Sequence, residues 1–170
     1  MHTYTAPDTP LVLPFYEELQ SNSTIDIRAE VCSPEKKFFI EIISGPHSLL
    51  NVEFCFGLTK AIILRSCSSS MEGNDTVQVG NPLYGGQKFR LTVHVRDSYY
   101  EVLLNGKFIA EFPHRYPTRL AQCLAISKYV NIKIIDFVGL SNACESPITV
   151  RSVDEPTVEK IMRHWAVSSA

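Results

Sequence analysis

Short runs of alternating apolar and polar residues follow one another along the chain at intervals of about ten residues, the spacing of an all-β sandwich or barrel. Thr24 to Val31 puts Ile25, Ile27, Ala29 and Val31 on one side, because successive side chains of a strand point to opposite faces. Phe89 to Val95 repeats the pattern, with Phe89, Leu91, Val93 and Val95 on one face and Arg90, Thr92 and His94 on the other. Further strands are predicted at Phe38 to Ile43, stopped by Ser44-Gly45-Pro46, at Val52 to Phe56 with Val52, Phe54 and Phe56 inward, and at Ala61 to Leu64. Tyr99 to Leu104 and Lys107 to Phe112 flank Asn105-Gly106. Asn-Gly between two such runs predicts a tight hairpin, since both residues tolerate the positive φ of a type I′ turn. Leu120 to Ser127 and Val130 to Val138 complete the series.

The pattern changes after Gly139. A polar connection, Ser141 to Pro147, leads to one more predicted strand at Ile148 to Val153. Asp154-Glu155-Pro156 then offers a helix start, with acidic residues and a proline in the first turn. Val158, Ile161, Met162 and Trp165 follow at the spacing of one helical stripe, predicting an amphipathic helix at about 155–167. Such a stripe either packs on its own domain or forms a contact with a protein partner or a second copy of the chain.

Composition narrows the function. The 170 residues are 45% hydrophobic and 20% charged with a net charge of −2, an ordinary globular balance without a Lys/Arg cluster. That removes the electrostatic basis for binding nucleic acid or an anionic membrane surface. No run approaches the roughly 18 apolar residues of a membrane span, and Met1 to Thr9 lacks the pattern of a signal peptide. The five cysteines are irregularly spaced and form no C-x-x-C pair, which reads as reduced thiols in a cytosolic protein. No phosphate loop, nucleophile elbow or zinc helix is present, and the histidines are scattered. The expectation is a binding module, not an enzyme, with no metal or cofactor. Cys55 beside Glu53 has no evident basic neighbour in the sequence to lower its pKa.

Three stretches carry a family resemblance. Asn81-Pro82-Leu83-Tyr84-Gly85-Gly86-Gln87-Lys88-Phe89, followed by Arg90-Leu91-Thr92-Val93, resembles the galectin pattern of Pro-Phe, a Gly-containing turn and a strand. Tyr100 to Arg115 resembles the galectin strand, Asn-Gly hairpin and Pro-His-Arg end, and Leu124 to Val138 the closing strand. Upstream, Glu18-Leu19, Ile25 to Val31 and Phe39-Ile40-Glu41-Ile42 match the opening strands. The resemblance spans roughly residues 10–140. It implies a galectin-like jelly-roll sandwich of two antiparallel sheets over 1–140, a C-terminal extension over 141–170, and a sugar lying across the outer face of one sheet. It also makes His114 and Arg115 framework residues, and a cytosolic location, or one outside the cell reached by a non-classical route, the expected one.

Galectins hold galactose with His-x-Asn-x-Arg on one strand, an Asn on the next, and a Trp followed by a Glu and an Arg. Residues at i, i+2 and i+4 of a strand share a face, so the first three converge on one sugar, while the Trp ring stacks on its apolar side. By this resemblance Glu53 stands for the His, Cys55 for the Asn and Gly57 for the Arg, with Ser66 in place of the second Asn. Glu72 falls at the Trp position, or Met71 if the loop is shifted; Asp75 falls near the Glu, and Val77 replaces the last Arg. Binding one sugar at millimolar strength supplies only about 4 kcal/mol. Each hydrogen bond involving a charged group contributes roughly 1.5–3 kcal/mol, so losing two of them and the ring erases ordinary β-galactoside binding. The expectation is a galectin-like carbohydrate-binding protein with altered or lost glycan specificity. Its altered groove is formed by Glu53, Cys55, Arg65, Ser66, Glu72 and Asp75. The alternative is a protein-interaction module using a sheet face or the Val158, Ile161, Met162 and Trp165 stripe.

Overall fold

The computed structural model describes residues 1–67 and 76–139. The described strands are β1 (His2–Thr5), β2 (Leu11–Pro14), β3 (Thr24–Val31), β4 (Phe38–Ser44), β5 (His47–Phe54), β6 (Ala61–Cys67), β7 (Thr76–Gly80), β8 (Lys88–Val95), β9 (Tyr99–Leu104), β10 (Lys107–Pro113), β11 (Cys123–Ile126) and β12 (Val130–Val138). They form two six-stranded antiparallel sheets, ordered β1-β12-β3-β8-β9-β10 and β2-β11-β4-β5-β6-β7. Consecutive strands pair in β4 to β7 and in β8 to β10, whereas β1 with β12, β12 with β3, β3 with β8, β2 with β11 and β11 with β4 join distant parts of the chain, as in a jelly roll.

The alternation read from the sequence is the alternation of burial. Ile25, Ile27, Ala29 and Val31 of β3 and Phe89, Leu91, Val93 and Val95 of β8 all enter one core. From the opposing sheet come Ile40 and Ile42 of β4, Leu50, Val52 and Phe54 of β5, and Ile62 and Leu64 of β6. The two layers meet through aromatic rings: Phe38 stacks on Phe54 at 4.6 Å and on Phe89 at 5.8 Å between centroids. Offset ring pairs of this kind add about 0.5–1.5 kcal/mol beyond their burial.

Asn105 and Gly106 take φ of 52° and 80°, closing a two-residue hairpin in which Leu104 pairs with Lys107. Asn105 also accepts the Arg90 N–H on its side-chain oxygen at 2.8 Å, tying the turn to β8. Several elements differ from the sequence-based expectation. β1, β2 and β7 are absent from the alternation pattern, and β5 begins at His47 instead of Val52. Its first half is masked by a bulge: Ile42 faces Leu50 and Ile43 faces Ser48, so Leu49 is an extra residue, and it turns into the core. A bulge breaks strict alternation and with it the period-2 signal. Leu120 ends a 3₁₀ turn (Thr118–Leu120), and the strand starts only at Cys123. That turn is the sole helical element among the described residues. The expected helix at about 155–167 lies outside them.

Candidate functional site

The outer faces of the two sheets differ. On the sheet containing β3 and β8, Asp26 is clasped by Arg90, whose Nε lies 2.8 and 3.0 Å from its two oxygens, and it accepts the Thr92 hydroxyl at 3.0 Å. Thr24 Oγ1 and His94 Nδ1 are 2.8 Å apart on the same face. These groups satisfy one another across adjacent strands and read as a self-contained surface.

The outer face of the other sheet is built from β4, β5, β6 and β7. Glu41 pairs with Asn51 and Asn51 with Arg65; one step along, Phe39 pairs with Glu53 and Glu53 with Ile63. Thr76 and Gln78 extend these two rows onto β7. Because Ile40, Ile42, Val52, Leu64 and Ile62 point into the core, the residues between them must point out.

Glu53 is the centre of the second row. Its Oε2 receives Arg65 Nη2 at 2.5 Å, and its Oε1 lies 3.2 Å from Lys37 Nζ and 3.3 Å from the Cys55 thiol. Arg65 was expected in the groove with Glu53, but Lys37 was not, and neither is a neighbour of Cys55 along the chain. Cys55 is nevertheless held as a thiol. Burial, then its hydrogen bond to Glu53 and that residue's charge, push its pKa up to about 11, outweighing Lys37 and Arg65. It is no nucleophile at neutral pH. Its backbone closes the following loop by bonding Ala61 in both directions, and Asn81 anchors it by donating Nδ2 to the Cys55 carbonyl at 3.0 Å.

Ser66 is placed differently from its sequence-based assignment. It shares the inward parity of Ile62 and Leu64 and is 8% exposed, whereas Arg65 occupies the outer face. Counting along the chain places Ser66 in the groove, but the alternation of β6 gives that place to Arg65. Val77 likewise packs inward with Val79. Glu72 and Asp75, and the stripe Val158, Ile161, Met162 and Trp165, lie outside the described residues.

The first row holds a residue that sequence reading passed over. Glu41 is 1% exposed on the outer side of β4. Burial raises its pKa to about 8, against the smaller opposing effects of Ser48, Asn51 and the Arg65 charge. Around it, Glu41 Oε2, Ser48 Oγ, Asn51 Oδ1 and Arg65 Nε are all buried without a hydrogen-bond partner among the described residues. Buried polar atoms are normally paired, so four such atoms in one place mark an unusual site. Glu41 alternates with Ile40 and Ile42 as an outward residue does, so nothing in the sequence marked it as buried.

His114 has a structural part instead. Its Nε2 lies 2.8 Å from the Arg96 carbonyl oxygen, and its ring meets Tyr100 edge-on at 4.4 Å.

The family model described as galactoside-binding lectin matches residues 10–137. The chain is a galectin. Probable galaptin lec-8 of Caenorhabditis elegans is 34% identical over 140 residues, covering 82% of this chain and 77% of that protein. Galectin-4 of Sus scrofa is 25% identical over 138 residues, covering 78% of this chain and 42% of that longer protein. Among solved structures, Caenorhabditis elegans galectin LEC-6 superposes with a TM-score of 0.73 at 17% identity, covering 79% of this chain and 94% of that one. That likeness establishes the galectin jelly roll, two antiparallel sheets packed face to face. The family is one of carbohydrate-binding lectins.

Proposed function

We propose that the outer face of β4, β5 and β6 binds a saccharide other than an ordinary β-galactoside. The observation that carries the reading is the state of Glu53. The resemblance puts it where galectins have a His, and its carboxylate is already engaged by Arg65, Lys37 and the Cys55 thiol. A carboxylate so engaged, a raised-pKa thiol and a glycine at Gly57 do not reproduce His-x-Asn-x-Arg. The face still offers hydroxyl partners in Arg65, Lys37, Asn51 and Gln78, and in Glu72 and Asp75 by their position in the sequence. No covalent chemistry is part of this reading; it is binding alone.

The assignment is tested by paired variants on a saccharide that the wild type binds. Arg65→Ala removes a charged donor on the outer face and is expected to weaken binding about tenfold or more. Ser66→Ala, one residue along and inward, is expected to leave affinity unchanged. The reverse ranking would overturn the placement of the groove.

A second reading rests on the sequence stripe Val158, Ile161, Met162 and Trp165. In it the extension over 141–170 contacts a protein partner or a second copy, with Trp165 as an anchor of the kind enriched at interface hot spots. Deleting 154–170 is expected to change oligomer size or partner recovery on this reading. Simple loss of stability would instead place the stripe on its own sandwich.

A further inference from the structure

We propose that Arg65 is shared between two carboxylates, Glu53 and Glu41, and that the affinity of the groove for a saccharide is set by which of them holds the guanidinium. This rests on the outer face of β4 to β6 being the saccharide site. Arg65 stands on β6 directly across from Asn51, which in turn pairs with Glu41 on β4. Its Nη2 is on Glu53, while its Nε is buried and unpartnered, and so is Oε2 of Glu41. A donor and an acceptor, both buried and both unused, therefore lie on one row of the sheet. Leaving either unpaired costs about 1–3 kcal/mol, so a rearrangement that joins them is favoured once Glu41 is ionised.

The groups facing Glu41 define the switch. Ala125 of β11 lies opposite Glu41, and on this outer face also stand Cys123 of β11, Glu53 of β5, and Arg65 and Cys67 of β6, with Lys37, just before β4, on Glu53. Of these, Arg65 is the cation that favours the charged form of Glu41, with the polar side chains of Ser48 and Asn51 beside it acting in the same direction. In the acid form Glu41 makes no claim on the guanidinium, and Arg65 stays on Glu53 with its side chain 37% exposed, available to a ligand hydroxyl. In the ionised form Glu41 takes up the buried Nε and draws the exposed end of the guanidinium away from the ligand. Glu41 is thus a positioning residue acting through Arg65. It is not itself a ligand contact.

The experiment has two readouts on the full chain. The first is the Arg65 Nε–H resonance in ¹⁵N NMR from pH about 6.5 to about 9.5, on either side of the Glu41 midpoint at about 8. It is expected to shift with that midpoint in the wild type and to stay constant in Glu41→Gln. The second is affinity for the strongest saccharide found on a glycan array. It is expected to fall about fivefold or more over the same range in the wild type, and to lose that pH dependence in Glu41→Gln. An Arg65 signal that does not titrate, or a pH-dependent affinity that survives in Glu41→Gln, overturns the proposal. A titrating Arg65 with no saccharide bound at any pH leaves the shared guanidinium standing. It overturns both the saccharide reading of the face and the affinity half of the proposal. Circular dichroism across the range separates these outcomes from unfolding.

Discussion

Arg65 of β6 holds Glu53 of β5 through Nη2, and Lys37 reaches the other oxygen of the same carboxylate at 3.2 Å. The pair sits at the place where galectins, by the resemblance, keep a histidine for galactose. Its Coulomb attraction is moderated by water, because the Arg65 and Lys37 side chains are 37% and 59% exposed. The Glu53 side chain, at 11% exposed, is the buried member. Glu53→Gln is therefore expected to cost about 1–2 kcal/mol of stability, with both cations regaining water. Urea denaturation checks this: the midpoint falls while the slope stays unchanged.

The opposite sheet supplies a contrast. Asp26 accepts Arg90 and Thr92 on a face with no assigned ligand. Asp26→Ala is expected to lower stability by about 1–3 kcal/mol, because the Thr92 hydroxyl loses its partner and Arg90 its anion. Saccharide affinity, measured by titration calorimetry, is expected to remain at the wild-type value. A large loss of affinity in a folded Asp26→Ala protein would place the ligand on the wrong sheet in the present account.

Glu41 predicts an unusual pH dependence of stability. Its folded-state pKa is raised above the ordinary 4.5 to about 8, chiefly by burial. Between these values the folded protein binds a proton that the unfolded chain releases, so the stability contributed by the acid form is fully present below about pH 4.5. It is lost as pH rises toward 8 and changes little beyond. Glu41→Gln has no proton to lose. The variant is expected to gain stability over the wild type as pH rises, reaching on the order of a few kcal/mol near pH 8. Parallel denaturation curves at several pH values measure the difference; a gap that does not widen with pH would contradict the burial of an ionisable Glu41.

Much of the fold was legible because its central strands obey the period of two. Thr24 to Val31 and Val130 to Val138 coincide with β3 and β12, and Asn105-Gly106 makes the expected turn. The short strands were not. β1 and β2 have four residues each and are fixed by pairing with β12 and β11, more than a hundred residues away. Local pattern carries no signal of such partners. Outward placement was legible at Glu53 and Cys55, whose side chains meet beside a clear apolar run. It slipped by one residue at Ser66, where counting replaced alternation: a one-residue slip exchanges the two faces of a strand. Lys37, Asn51 and Glu41 were passed over because only the sheet register brings them beside Arg65 and Glu53.

Binding of the purified protein to a broad glycan array, with and without excess lactose, tests the central claim most directly. The account predicts saccharide binding that lactose does not displace and that Arg65→Ala weakens. Binding abolished by lactose would contradict it, showing that a working galactose site survives around Glu53 and Cys55.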